Sequence, residues 1–113
     1  MNKRILIIED ETELSRILQK YLVRKNYDVT CAENLTVAMK LLNIGLYDAI
    51  ILDNNLPDGK GIDVIPTINF IQHNPTIIAM SAMQVQDEAL EAGASYYIEK
   101  PISMAAISRL LAI

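Results

Sequence analysis

One short stretch limits the possible folds of this chain more than any other. Residues 49–52 are an unbroken apolar run that ends at Asp53, and a polar turn rich in glycine and proline follows at 54–61. Apolar runs without polar alternation are typical of strands buried on both faces of a sheet. The pattern predicts that Asp53 is the first residue beyond such a strand, where open α/β sheets bind ligands. We interpret Asp53 as a candidate nucleophile.

Similar runs recur along the chain and alternate with helical segments. The other predicted strands are Arg4–Ile8, Asp28–Ala32, 76–80 and Tyr96–Glu99. The second of the five strands is more polar and is expected near a sheet edge. Strands that alternate with helices over short connections predict an α/β fold, with a parallel sheet, right-handed crossovers and helices on both faces.

The helical segments have apolar stripes and recognisable ends. The stripe of the first helix is Leu14, Ile17, Leu18, Tyr21 and Leu22. Asn34 and Ser103 are predicted to cap the second and the last helix, and Gly45 and Gly93 to end the second and the fourth. The fourth helix is predicted over 85–92.

The third helix contains a proline. Its apolar residues are Ile62, Ile65, Ile68, Phe70 and Ile71. Pro66 cannot donate a helical hydrogen bond, so either the helix begins late, with Pro66 in its first turn, or its start is distorted. We favour the late start.

Composition restricts the class of protein. A chain of 113 residues is large enough for one domain with a real core, and 51% hydrophobic against 21% charged residues excludes disorder. Ten basic and fourteen acidic residues give a net charge of −4 without a basic patch, so we expect no direct binding of nucleic acid.

The sequence also indicates where the protein works. The apolar run within Arg4–Ile8 is too short for a signal peptide or a membrane span, and no later segment approaches a span. The single cysteine, Cys31, cannot form an internal disulfide, which suits a reducing compartment. We expect a cytoplasmic protein with no membrane partner.

Polar residues follow the predicted strands at positions that would share one edge of a parallel sheet. They are Glu9, Asp10, Asp53, Ser81 and Lys100. Clustered carboxylates repel one another, by roughly 4 kcal/mol per pair at about 4 Å and an effective dielectric constant near 20, so such a cluster usually holds a cation or has a raised pKa. Carboxylates without cysteine or a nearby histidine favour magnesium. The hydroxyl and the ammonium group suit a phosphoryl group. Each acid could instead only cap a helix, but their coincidence on successive strands favours a site.

These residues give the chain a resemblance, over essentially its whole length, to the receiver domains of bacterial two-component response regulators. The matching residues are Glu9-Asp10, Asp53 with the turn to Gly61, Ser81-Ala82 and the segment from Tyr97 to Pro101. The resemblance implies one receiver domain over 1–113 with a three-layer, flavodoxin-like (βα)5 fold. The five-stranded parallel sheet would have the order 2-1-3-4-5.

The resemblance also implies a chemistry. Asp53 would take a phosphoryl group from the phosphohistidine of a sensor histidine kinase or a phosphotransfer protein. Glu9, Asp10, Asp53 and the main-chain carbonyl of Asn55 would hold Mg²⁺ (or Mn²⁺). The chain would catalyse only its own phosphorylation and dephosphorylation, as a signalling switch rather than an enzyme.

The remaining implied roles concern the response to phosphorylation. Lys100 would pair with the phosphoryl oxygens, and the Lys100–Pro101 bond would be cis. Ser81 would bind the phosphoryl group, and Tyr97 would rotate from an exposed to a buried position. The output would go to a downstream domain or protein, from a monomer or a weak phosphorylation-dependent dimer.

The sequence departs from the receiver pattern in two places. The segment between Ser81 and Lys100 is a few residues shorter than in most receivers, and the last helix stops early, at Ile113. Receivers commonly signal through this part of the chain, so both departures concern the output surface and not the residues of the predicted chemistry. The apolar finish suggests a receiver cut from a longer regulator or hybrid kinase.

Three other functions compete with this interpretation. A receiver-like interaction module acting without phosphorylation would be expected to have lost an acid or Lys100. A phosphatase of the haloacid-dehalogenase type needs a second acid at position 55, where this chain has Asn55. A flavin-binding electron carrier needs Ser, Thr or Gly after the first strand, where this chain has acids.

Overall fold

The computed structural model describes residues 2–112, as alternating strands and helices. Their order is β1 Arg4–Ile8, α1 Thr12–Arg24, β2 Asp28–Ala32, α2 Leu35–Ile44, β3 Ala49–Asp53, β4 Asn55–Leu56, β5 Gly59–Lys60, α3 Gly61–Gln72, β6 Thr76–Ser81, α4 Gln86–Ala92, β7 Tyr96–Glu99 and α5 Met104–Leu111. The predicted early end of the last helix is at Ile113, which lies outside the described residues.

Five strands form one parallel sheet in the order β2-β1-β3-β6-β7. Strands β4 and β5 form a separate antiparallel hairpin in the turn after β3. When the strands of the main sheet are counted alone, their order is 2-1-3-4-5, so the predicted fold is confirmed. The more polar strand β2 lies at an edge, as predicted.

Alternate residues of the central strands face two separate cores. Leu6 and Ile8 of β1 belong to the core that α2, α3 and α4 cover, whereas Ile5 and Ile7 belong to the core that α1 and α5 cover. All four side chains are fully buried. Burial on both faces explains why the central strands are aliphatic without alternation. It also confirms the three-layer architecture.

The predicted helix caps are present. The Val37 N–H donates to Asn34 Oδ1 at 2.8 Å, and the Ala106 N–H donates to Ser103 Oγ at 3.2 Å. Helix α4 ends at Gly93, whose φ of 115° lies in the left-handed region that favours glycine. The predicted glycine terminators of α2 and α4 are therefore confirmed.

The predicted late start of α3 is wrong. The helix begins at Gly61 and contains Pro66 beyond its first turn. The Gly61 N–H donates to the Asn54 carbonyl at 2.9 Å, and the Ile62 N–H donates to Asn54 Oδ1 at 3.1 Å. A residue outside the helix therefore satisfies the first two helical donors. Pro66 is exposed, so the carbonyl that it leaves without a helical partner can bond to water.

Smaller differences concern element ends and apolar stripes. Asp53 is the last residue of β3, paired with Met80, rather than the first residue beyond it. Strand β6 extends to Ser81, and α4 begins at Gln86. Ile17 is 50% exposed and Phe70 is 82% exposed, so the predicted stripes were too wide. Over 2–112, none of the helices combines the length and the apolar character that crossing a bilayer requires.

Candidate functional site

The parallel sheet places the predicted site residues at one edge. Glu9 follows β1, Asp53 and Ser81 end β3 and β6, and Lys100 follows β7. The side chains of Glu9, Asp53 and Ser81 are buried, although all three are polar. Asp10, next to Glu9, is exposed. The site therefore has a buried floor and one carboxylate at the solvent boundary.

Lys100 links two of the carboxylates. Its Nζ atom lies 2.9 Å from Glu9 Oε1 and 3.1 Å from Asp53 Oδ1. The Glu11 N–H also donates to Glu9 Oε2, at 3.1 Å. Burying a charge is costly unless it is paired and hydrogen-bonded, and these contacts meet that condition. The ammonium group thus holds the end of β7 next to the ends of β1 and β3.

Three carboxylates of the site lie close enough to share one ion. Oxygen atoms of Glu9, Asp10 and Asp53 lie within 4.8 Å of one another. Hard oxygen donors in this number fit a divalent ion such as Mg²⁺, which binds through a few carboxylates and keeps several waters. The exposed position of Asp10 leaves room for those waters. Asn55, whose carbonyl was a predicted ligand, is exposed and begins the short strand β4.

Burial and charge shift the pKa values of the site in a consistent way. Burial raises the pKa of Glu9 and of Asp53 above the ordinary values, although hydrogen bonds from Lys100 oppose the shift. Burial alone would lower the pKa of Lys100, but its bonds to Glu9 and Asp53 outweigh burial and raise it. Lys100 therefore stays cationic, and the ionised carboxylates gain from an additional cation.

Ser81 and Tyr97 are connected through the main chain of Met83. The Met83 N–H donates to Ser81 Oγ at 3.0 Å, and the Tyr97 hydroxyl donates to the Met83 carbonyl. The Tyr97 ring is half-buried and packs against the core under α2, α3 and α4. The loop after β6 therefore contacts both residues that the resemblance assigned to the switch.

The ends of β6 and β7 are joined directly. The Lys100 N–H donates to the Ser81 carbonyl at 2.8 Å, and the Lys100–Pro101 peptide bond is cis. The main-chain bond fixes the start of the Lys100 side chain relative to Ser81. All the predicted site residues lie at one end of the sheet, except Tyr97, which lies within β7.

Sequence reasoning missed Asp58, which anchors the turn that follows Asp53. Its carboxylate accepts hydrogen bonds from the Leu35 N–H at 2.8 Å and the Thr36 N–H at 2.9 Å, at the start of α2. The Thr36 hydroxyl adds a third, at 2.7 Å. These bonds lower the pKa of Asp58. The available signal was an acid in a turn, but the sequence does not show which helix start is nearby.

The sequence also gave no indication of how closely α3 approaches the site. A Cβ atom on Gly61 would lie 2.3 Å from the main-chain oxygen of Asp53 and 2.9 Å from Leu52 Cγ. No side chain fits in that space, so the first residue of α3 packs directly on the main chain of Asp53. The turn after Asp53 is thus attached to α2 through Asp58 and to α3 through Gly61.

The chain is similar to a transcriptional regulatory protein and to a response regulator protein. The chain is 38% identical over 108 residues to the transcriptional regulatory protein KdpE of Staphylococcus aureus, covering 92% of this chain and 46% of that protein. It is 31% identical over 114 residues to the response regulator protein PilR of Pseudomonas aeruginosa, covering 97% of this chain and 25% of that protein. The chain spans less than half the length of these relatives.

A solved structure shows the same fold. A response regulator from Burkholderia pseudomallei, described with a phosphorylated aspartic acid, a calcium ion and citrate, superposes with a TM-score of 0.91 at 26% identity. The match covers 97% of this chain and 66% of that one. The family model of the response regulator receiver domain matches residues 5–112. The chain therefore belongs to the response regulator receiver domain family.

Proposed function

We propose that residues 1–113 form one phosphoacceptor receiver domain, in which Asp53 takes a phosphoryl group from the phosphohistidine of a sensor histidine kinase or a phosphotransfer protein. A carboxylate oxygen of Asp53 attacks phosphorus, the P–N bond to the imidazole breaks, and an aspartyl phosphate forms. The imidazole regains a proton from solvent. Attack of water on phosphorus later releases inorganic phosphate and restores the carboxylate.

One observation carries this proposal: Lys100 Nζ lies 3.1 Å from Asp53 Oδ1 and 2.9 Å from Glu9 Oε1. A cation beside the nucleophile can follow the charge onto the phosphoryl oxygens as the P–O bond forms. Burying most of the charged Lys100 side chain costs free energy, so its position beside the carboxylates calls for an explanation. An interaction module that works without phosphorylation has no need of a cation there.

We further propose Mg²⁺, with Mn²⁺ as a substitute, as the ion of the site. Glu9, Asp10, Asp53 and the main-chain carbonyl of Asn55 would hold it, directly or through water. The bound ion supplies charge neutralisation for the phosphoryl oxygens. The closeness of the three carboxylates and the raised pKa of two of them support an ion at this position.

Ser81 and Tyr97 form the proposed response. The Ser81 hydroxyl would leave the Met83 N–H to bond the new phosphoryl group, and the loop after β6 would move with it. Tyr97, whose hydroxyl bonds the Met83 carbonyl, would change position with the loop. The output surface would be the neighbouring face of α4, β7 and α5. It would contact a downstream domain or protein, or form a weak phosphorylation-dependent dimer.

The test is phosphorylation by a small phosphodonor. The protein is incubated with Mg²⁺ and acetyl phosphate and examined by intact mass and peptide mapping. We expect one added phosphoryl group on Asp53, stable in acid and labile in base, and its loss when EDTA is present. Asp53→Ala should remove the label, whereas Asp63→Ala, an exposed aspartate on α3, should retain it.

Two results would overturn the proposal. The first is a wild-type protein that stays unlabelled while Mg²⁺ and the donor are in excess, which would favour the interaction module. The second is a label of undiminished size on the Asp53→Ala variant. Labelling that is independent of divalent ions would overturn only the proposed role of Mg²⁺.

A further inference from the structure

We infer that Asn54 is a positioning residue for the metal site, because its side chain fixes the turn between Asp53 and the start of α3. This inference rests on the proposed function, since it concerns the ion that Asp53 and the Asn55 carbonyl would hold. Asn54 lies between those two residues in the chain. It touches neither the proposed ion nor the phosphoryl group, so its effect is indirect.

Asn54 is buried and bonded on both sides. It is 8% exposed. Its N–H donates to the Met80 carbonyl at 2.9 Å, which continues the pairing of β3 with β6. Its carbonyl accepts from the Gly61 N–H, also at 2.9 Å. The main chain of Asn54 is therefore held by β6 on one side and by α3 on the other.

The side chain adds a third attachment. Asn54 Oδ1 accepts from the Ile62 N–H at 3.1 Å. This is the bond that an N-cap side chain normally provides, but Lys60 at the N-cap position of α3 makes no such bond. Asn54 thus caps α3 from the opposite end of the turn. The main-chain bond to Gly61 and the side-chain bond to Ile62 together close the turn into a loop whose two ends are hydrogen-bonded.

The closed loop has a consequence for the ion. Asn55 is exposed and pairs with Lys60 in the short hairpin, and its N–H bonds to the Asp53 carboxylate, so the direction of its carbonyl depends on the conformation of the turn. Asn54 fixes the peptide unit on the site side of Asn55. Without the Asn54–Ile62 bond, the turn gains conformations in which the Asn55 carbonyl does not face the acids, and metal affinity falls with the fraction of competent turns.

The test compares two asparagine caps. Asn54→Ala and Asn34→Ala each remove an amide oxygen that accepts a helix-start N–H, but Asn34 caps α2. Mg²⁺ binding is measured by isothermal titration calorimetry, and the labelling rate by acetyl phosphate. We expect the Kd of the Asn54→Ala variant to rise about tenfold, with most of the labelling rate restored at saturating Mg²⁺. The Kd of the Asn34→Ala variant should stay within twofold of wild type.

A second measurement needs no variant. If the Asn54–Ile62 bond favours the ion, the ion must favour the bond by the same factor. Mg²⁺ should therefore slow amide hydrogen exchange at Ile62 in the wild-type protein, and leave exchange at Val37, the amide capped by Asn34, nearly unchanged.

The outcomes separate the two proposals. An Asn54→Ala variant that binds Mg²⁺ as tightly as wild type overturns the positioning role. The positioning role is also overturned if calorimetry shows that the wild type binds Mg²⁺ but hydrogen exchange at the Ile62 amide does not slow. A wild-type protein that binds no Mg²⁺ overturns the proposed metal site itself.

Discussion

Lys100 Nζ lies 3.1 Å from Asp53 Oδ1, in an ion pair whose side chains are only 18% and 4% exposed. Lys100→Met keeps the length of the side chain and removes the charge, which leaves Glu9 and Asp53 without their cation. We expect the free energy of unfolding in metal-free buffer at neutral pH to fall by about 2 kcal/mol, below the range for a fully buried pair because Lys100 is partly solvated. Urea denaturation measures it, with exposed Lys40→Met as the control.

The same variant has a predicted pH dependence. Without Lys100 the carboxylates are protonated more readily in the folded protein, so acidification removes the unpaired charges. The stability difference between wild type and Lys100→Met should shrink between neutral pH and about pH 3. A difference that stays constant over this range would show that the variant acts through packing instead.

Asp53→Asn should stabilise the metal-free protein. Burial raises the pKa of Asp53, so the ionised form costs stability in the folded state, and the amide removes that cost. Lys100 keeps its bond to Glu9. The stabilisation should be absent below the unfolded-state pKa of about 3.9 and grow as pH rises through the higher folded-state pKa. Thermal melts across this range test it, and a variant less stable than wild type at pH 7 without metal contradicts it.

Magnesium should reduce the stability advantage of Asp53→Asn over the wild type. An ion that binds the folded wild type stabilises it by an amount that grows with the logarithm of the ion concentration relative to Kd, and Asp53→Asn removes one proposed ligand. The melting temperature of the wild type should therefore rise more with Mg²⁺ than that of the variant. Equal shifts for both proteins would indicate that Asp53 does not hold the ion.

Gly61→Ala should be strongly destabilising. The Cβ atom of the alanine would lie 2.3 Å from the Asp53 carbonyl oxygen. The main chain fixes the position of a Cβ atom and the oxygen is itself a main-chain atom, so the helix or the site must move. We expect a loss of about 2 kcal/mol or more in the free energy of unfolding, measured by chemical denaturation. Gly45→Ala is the matched control, because its nearest neighbour is the flexible Arg4 side chain at 3.4 Å.

Gln72→Leu should also destabilise the protein, far from the site. The buried Gln72 amide accepts from the Tyr47 N–H at 2.8 Å and donates to the carbonyls of Leu42 at 2.7 Å and Gly45 at 2.8 Å. Leucine fits the space but leaves these main-chain groups unpaired, at a cost of about 3 kcal/mol. Exposed Gln19→Leu in α1 is the control. Equal stabilities of the two variants would contradict the role given to Gln72.

The sequence predicted the strands well because burial on both faces leaves a strong local mark. A short aliphatic run such as 49–52 is typical of a strand buried on both faces. The acids that follow such runs lie at the same edge of the sheet when the strands are parallel. The position of Asp53 near Glu9 and Lys100 follows from these two facts. The caps Asn34 and Ser103 were predictable because each lies beside the helix it caps.

The sequence failed where partners lie far apart along the chain. The start of α3 depends on Asn54, eight residues before the Ile62 amide that it caps. The Asp58 carboxylate accepts hydrogen bonds from the N–H groups of Leu35 and Thr36 in α2, which lie 23 and 22 residues earlier in the chain. Gln72 did leave a signal, because it continues the buried positions Ile65 and Ile68 of α3. A polar residue on an apolar stripe implies buried partners, but its spacing does not say which ones.

The two hydrogen bonds at Met83, on which the proposed response of Tyr97 to Ser81 rests, do not depend on side-chain identity at position 83. Only the N–H and the carbonyl of Met83 take part, and its side chain is 64% exposed. Any residue with an amide hydrogen at position 83 could make both bonds, whereas proline would lose the bond to Ser81 Oγ. The surface at position 83 is consequently free to diverge toward a new partner without loss of the two hydrogen bonds that connect Ser81 with Tyr97.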